Sequence, residues 1–169
     1  MLFRAHADGR FELAGRVVRC AVGKAGAIAA ADKREGDNKS PLGVWVMREV
    51  WYRPDVYPQG PKTALPLRAT RPEDGWCDAP SDPNYNRPVT LPYPASAERM
   101  WRDDAVYDLV VILGHNDDPP TPGMGSAIFM HLARDGYPGT EGCVALARAD
   151  LEAVLAAAEP GDAVQILAD

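Results

Sequence analysis

The chain has 169 residues, 46% of them hydrophobic, so it has the length and apolar content of one globular domain with a single sizeable core and is cramped for two. Its formal net charge of -6 argues against an electrostatic grip on nucleic acid or on an anionic membrane, since either needs clustered Lys and Arg. Cysteines 20, 77 and 143, odd in number and scattered, form neither a disulfide framework nor the paired spacing of a zinc site; free thiols in a reducing compartment are the simpler reading.

The N-terminus reaches polar residues after three positions and offers neither the apolar stretch of a signal peptide nor a spanning helix. A cytoplasmic location is therefore the expectation, or a periplasmic one if a leader has been removed. Residues 11–15 and 16–24 read as two strands of a hairpin around Ala14-Gly15. An Ala-rich and then charged stretch ends in Asp37-Asn38-Lys39-Ser40-Pro41-Leu42-Gly43, whose Pro and Gly suit a turn before a strand over 43–51.

Residues 52–100 are rich in proline, poor in apolar runs and dotted with Trp76, Tyr85 and Tyr93. They read as a long packed insertion, largely irregular, within one domain spanning 1–169; a loop of this length often shapes a binding site. Residues 106–114 are a nearly continuous apolar run and predict a central strand buried on both faces, and 125–131 a second. Residues 148–159 place Leu151, Val154, Leu155 and Ala158 on one helical stripe that Pro160-Gly161 stops, and 163–167 close as a strand. The fold class is thus mainly β with few helices, and no internal repeat interrupts it.

The most informative residues end the second apolar run. His131 closes it, and twelve positions later, after a loop with Gly136, Pro138 and Gly139, Cys143 follows Gly142 at the start of another apolar run. A free thiol titrates at about 8.5, so an imidazole that takes its proton and stabilises the ion pair would make Cys143 a nucleophile and His131 its base. Gly142 leaves room for a substrate carbonyl, and the N–H groups of Gly142 and Cys143 can bind the developing oxyanion. The helix at 148 starts too late for its dipole to be the main activator.

Against this stand blander readings. Cys143 can be a small buried hydrophobe and His131 a core histidine bonded to a carbonyl. His115-Asn116-Asp117-Asp118 lacks the ligand spacing of a metal site, so His115 and Asn116 either line the substrate pocket or satisfy a turn. Glu141 either orients His131, contacts the substrate's amino end or is solvated. Lys39, Arg87 and Arg99 are candidates for gripping a carboxylate, each with a surface salt bridge as the alternative. Cys20, Cys77 and the four tryptophans read as packing residues.

Thr140-Glu141-Gly142-Cys143 with a strand-end histidine upstream resembles the L,D-transpeptidase (YkuD-type) signature, a His, a spacer and then Ser/Thr-His-Gly-Cys. Thr140, Gly142 and Cys143 match, Glu141 replaces the second histidine and the spacer is short. Lys39-Ser40-Pro41-Leu42-Gly43 resembles the family's Lys/Arg-Thr-Pro-x-Gly element, and 107–116 its central strand, in the same order. The resemblance implies mixed β-sheets packed as a sandwich, with an amphipathic helix after the catalytic cysteine. It also implies attack by Cys143 on the bond between the L-centre of the third peptidoglycan stem residue, typically meso-diaminopimelate, and the following D-alanine. An amine acceptor then gives a 3-3 crosslink and water an L,D-carboxypeptidase product; the N-terminus favours water, with stem tetrapeptides or recycled muropeptides as partners. A catalytically silent stem-binding module is the alternative from another class. No cofactor or metal enters the scheme.

Overall fold

The computed structural model describes residues 1–168. In chain order the strands are β1 (Leu2–His6), β2 (Arg10–Leu13), β3 (Arg16–Ala21), β4 (Ala27–Ala29), β5 (Ser40–Tyr52), β6 (Leu67–Ala69), β7 (Asp74–Cys77), β8 (Pro88–Thr90), β9 (Ala97–Arg99), β10 (Leu109–Leu113), β11 (Phe129–Leu132) and β12 (Val144–Leu146). The helix α1 (Arg148–Ala157) and β13 (Ala163–Leu167) complete the chain, with a 3-10 turn at Ala30–Asp32. The mainly β class and the amphipathic helix after Cys143 agree with expectation.

The main sheet runs β10-β11-β12-β3-β2-β1-β13-β5-β4, and β5 also pairs with β10, so the pairings close into a circuit. The length of β5 makes this possible. Residues 43–46 pair antiparallel with β13 and residues 47–52 with β10, so one strand belongs to both layers. The β2–β3 hairpin turns on Ala14 and Gly15, both with positive φ, as a two-residue turn matched to strand twist requires. The first strand was not expected. Leu2–His6 buries Phe3 and Ala5 and lies parallel to β13, from Leu2↔Ala163 to His6↔Leu167, while the terminal ammonium pairs with Asp162.

Strand alternation divides the interior in two. Leu109, Val111 and Leu113 of β10, Met130 and Leu132 of β11, and Val144 and Leu146 of β12 face the main core with Phe3, Phe11, Val164 and the α1 stripe Leu151, Val154 and Leu155. Val110, Ile112 and Phe129 face the other way, with Trp51, Trp76, Met100, Tyr107 and Cys143. This explains why β10 is buried along its whole length.

The second core is roofed by the 52–100 segment, which is more regular than its composition predicts. It holds β6, parallel to β5, and a three-stranded sheet ordered β8-β7-β9. Strands this short tolerate the prolines around them, and Pro88 starts a strand at the edge of the small sheet, where a missing N–H is harmless. The roof is fixed by edge-to-face rings, Trp51–Trp76 at 5.7 Å and Trp76–Phe129 at 5.0 Å between centroids, and Tyr107 meets Phe129 in the same way at 6.0 Å beneath it. Each such pair adds about 0.5–1.5 kcal/mol beyond the area it buries.

Candidate active site

The parallel pairing of β11 with β12 sets His131 opposite Ala145 and Met130 opposite Val144. Successive side chains alternate, so His131, Phe129, Ala145 and Cys143 share one face, with His131 and Cys143 as diagonal neighbours. Both line a cavity of about 800 Å³ between this face and the roof. The backbone N–H of Phe129 donates to Cys143 Sγ at 3.4 Å, and the thiol donates to the Ala127 carbonyl at 3.2 Å. His131 is 8% exposed, and its Nδ1 lies 3.0 Å from the Leu132 carbonyl. A carbonyl only accepts, so Nδ1 carries the proton and Nε2 is left as a base.

The resting pair is neutral, which departs from the expected ion pair. Burial pushes the Cys143 thiol up to about 12 and the His131 imidazole down to about 4. Desolvation penalises the charged forms of both buried side chains, so the proton stays on sulfur until a reaction draws it away.

The turn before the cysteine is built by side chains the signature contains. Thr140 Oγ1 accepts from the Gly142 N–H at 3.1 Å and donates to the Cys143 carbonyl at 2.7 Å. Its backbone joins the end of β3, with Thr140 N–H donating to Val22 O at 2.8 Å and Lys24 N–H to Thr140 O at 2.7 Å. Buried Ser40 donates to the Gly142 carbonyl at 2.7 Å and accepts from the Gly23 N–H at 2.9 Å. Gly142 has φ 138°, and a Cβ there would lie 2.9 Å from the Lys39 carbonyl. The glycine is thus needed by the backbone against Lys39. Its N–H is engaged by Thr140, which corrects the expectation that it is a ready oxyanion donor; the Cys143 N–H is the amide beside the sulfur.

Other candidates lie elsewhere. His115 is buried, its Nε2 3.1 Å from the Met124 carbonyl and its ring edge-on to Trp45 at 4.7 Å, outside the cavity lining. Asn116, at φ 49°, ties its own loop through Thr121 and Gly125. Both satisfy a turn. Arg87 lines a separate hollow of about 190 Å³ with Arg48 and Asp117. Lys39 contributes its carbonyl to packing and its N–H to Asp37 Oδ1, and Arg99 is not part of the cavity lining. Glu141 is exposed and does line the cavity.

Sequence reasoning passed over several lining residues. Tyr107 stands with its ring 5.3 Å from that of His131 and donates to Glu98 Oε1 at 2.6 Å. Lys33, 2% exposed, is ion-paired with Asp37 at 2.6 Å. Glu35 accepts from Tyr85 and Ser126, and Arg102 and Arg134 share Asp104. Asn86 was missed as a support: its side chain accepts from Trp76 Nε1 and Ala127 N–H and donates to the carbonyls of His115 and Asn116. These residues carry no local signature; only packing between segments distant in sequence brings them together. Among the described residues no cluster of three metal-ligating side chains occurs.

A family model of the YkuD L,D-transpeptidase catalytic domain matches residues 5–166, and the chain belongs to that family. Among solved structures it is similar to Bd1075 of Bdellovibrio bacteriovorus, at 12% identity and a TM-score of 0.46, over 98% of this chain and 47% of that one. It is also similar to L,D-transpeptidase 3 from Mycobacterium tuberculosis in complex with a faropenem-derived adduct, at 15% identity and a TM-score of 0.44, over 98% of this chain and 59% of that one. The chain thus spans about half the length of these two proteins. No curated protein matches it.

Proposed function

We propose that the chain is a cysteine L,D-carboxypeptidase that removes D-alanine from peptidoglycan stem tetrapeptides, with soluble recycled muropeptides as its substrates. The observation that carries this reading is the placing of Cys143 and His131 on one face of β11–β12, lining one cavity, with Nδ1 committed to Leu132 O and Nε2 left as the acceptor. Family membership supplies the substrate class.

His131 Nε2 takes the thiol proton as Cys143 Sγ attacks the carbonyl carbon of the third residue, and the Cys143 N–H faces the oxyanion. The C–N bond breaks, His131 returns the proton to the departing D-alanine nitrogen, and a thioester remains on Cys143. Water, deprotonated by His131, then cleaves the thioester to tripeptide and free thiol. An amine of a second stem in place of water would give a crosslink instead. The test is product analysis on a monomeric tetrapeptide: tripeptide and D-alanine are expected, and dimeric crosslinked products without tripeptide would assign the chain to transpeptidation. No turnover together with intact stem binding would make it a silent module.

A further inference from the structure

The roof brings two carboxyl groups to the reaction cavity that the chemistry above does not use, Asp78 and Glu98. Glu98, on β9, is paired directly opposite Trp76 of β7, so the two side chains project from the same face of the small sheet. Trp76 uses that face to pack on Phe129, and Glu98 beside it lines the cavity with Cys143, His131 and Tyr107. A carboxylate so placed is expensive to desolvate, and burial raises it above the ordinary carboxylate range.

Its bonding is incomplete. The Tyr107 hydroxyl on Oε1, at 2.6 Å, is its one hydrogen-bond donor among the described residues, whereas a carboxylate has about four acceptor sites. The nearby cation Arg102 is engaged by Asp104 through Nε and Nη2 at 2.9 and 2.6 Å. Asp78 lines the same cavity, and its Oδ1 is buried without a hydrogen-bond partner among the described residues. Two acceptors short of donors, lining the cavity that holds Cys143, call for a cationic donor brought by the substrate.

We propose that Glu98 is the specificity-determining residue of this site, receiving the side-chain ammonium of a diamino acid at the third stem position, with Tyr107 holding its carboxylate in place. This rests on the function proposed above and narrows its substrate to stems whose third residue keeps a free amine. An ammonium there completes the bonding of Glu98, whereas an acetylated amine leaves a half-buried carboxylate facing a neutral group.

Binding to a Cys143→Ala protein, measured by calorimetry, tests this without turnover. The probes are a tetrapeptide with a free third-residue amine and the same peptide acetylated on that amine. The free-amine peptide is expected to bind at least about tenfold more tightly, and Glu98→Gln in the same background to erase that preference. Glutamine keeps an acceptor for the Tyr107 hydroxyl, so a purely structural role for Glu98 would leave the preference unchanged, and that result overturns the proposal. So does a wild-type preference below about twofold, or no binding of either peptide. Tripeptide release by the wild-type protein is followed in parallel: turnover without amine preference rejects the role of Glu98 alone, and preference without turnover rejects the carboxypeptidase reading alone.

Discussion

At the scale of single residues, the site is a neutral thiol and a neutral imidazole sharing one face of β11–β12. Cys143→Ala is expected to abolish tripeptide release while changing stability by no more than about 1–2 kcal/mol in denaturant titrations, since the side chain is small and its bonds are weak. His131→Ala is expected to lower the rate by about 100-fold or more, and a fully active variant would contradict its assignment as base. The proposed base works only when neutral, and burial has lowered His131 from 6.5 to about 4. Activity should therefore hold across the neutral range and fall as pH drops through about 4, so a kcat/KM profile with its acid limb near 6.5 would place the base elsewhere. The thiol is pushed up to about 12, so alkylation of Cys143 by iodoacetamide should be slow in absolute terms. It should still exceed that of Cys20 and Cys77, because only Cys143 lines the cavity.

At the scale of elements, two supports hold Cys143, and each gives a prediction. Asn86 fastens the roof to residues 115–127, and Ala127, whose carbonyl accepts the Cys143 thiol, has its N–H held by Asn86 Oδ1. Asn86→Ala strands these buried groups and should cost about 2–4 kcal/mol in chemical denaturation, with a loss of turnover per folded molecule. Gly142→Ala combines a positive φ with a contact of 2.9 Å to the Lys39 carbonyl and should cost more than about 2 kcal/mol, lowering activity with it. The strands and helix were legible wherever one periodicity dominated. The run at 106–114 and the stripe Leu151, Val154 and Leu155 bury the residues their spacing marks, and the hairpin turns at Ala14-Gly15 as expected. Leu2–His6 was overlooked because its pattern is short and its partner β13 lies at the other end of the chain. The small sheet at 74–99 was hidden because its three-residue and four-residue strands carry no periodicity of their own.

At the scale of the whole molecule, the circuit of strands makes a continuous wall and the 52–100 segment helps turn one side of it into a cavity. Cys143 and His131 could be paired from sequence because their chemistry is local to β11, β12 and the loop between them. Glu98, Tyr107 and Asn86 could not, because they reach the site only through long-range packing. The fold also pays for keeping His131 neutral. Its folded value lies below 6.5, so the unfolded chain binds the extra proton between about 4 and 6.5, and the stability it confers is lost as pH falls through that window. Relative to His131→Gln, the wild-type protein should lose about 3 kcal/mol of unfolding free energy between those limits; a flat difference would show that the imidazole titrates freely.

The acyl-thioester at Cys143 is tested most directly by mass spectrometry of the protein mixed with a stem tetrapeptide in water enriched in oxygen-18. The account predicts a transient adduct on the Cys143 peptide with the mass of the tripeptide acyl group, followed by tripeptide bearing one heavy oxygen in its new carboxylate, and neither in Cys143→Ala. Labelled tripeptide formed at an undiminished rate by Cys143→Ala would contradict it.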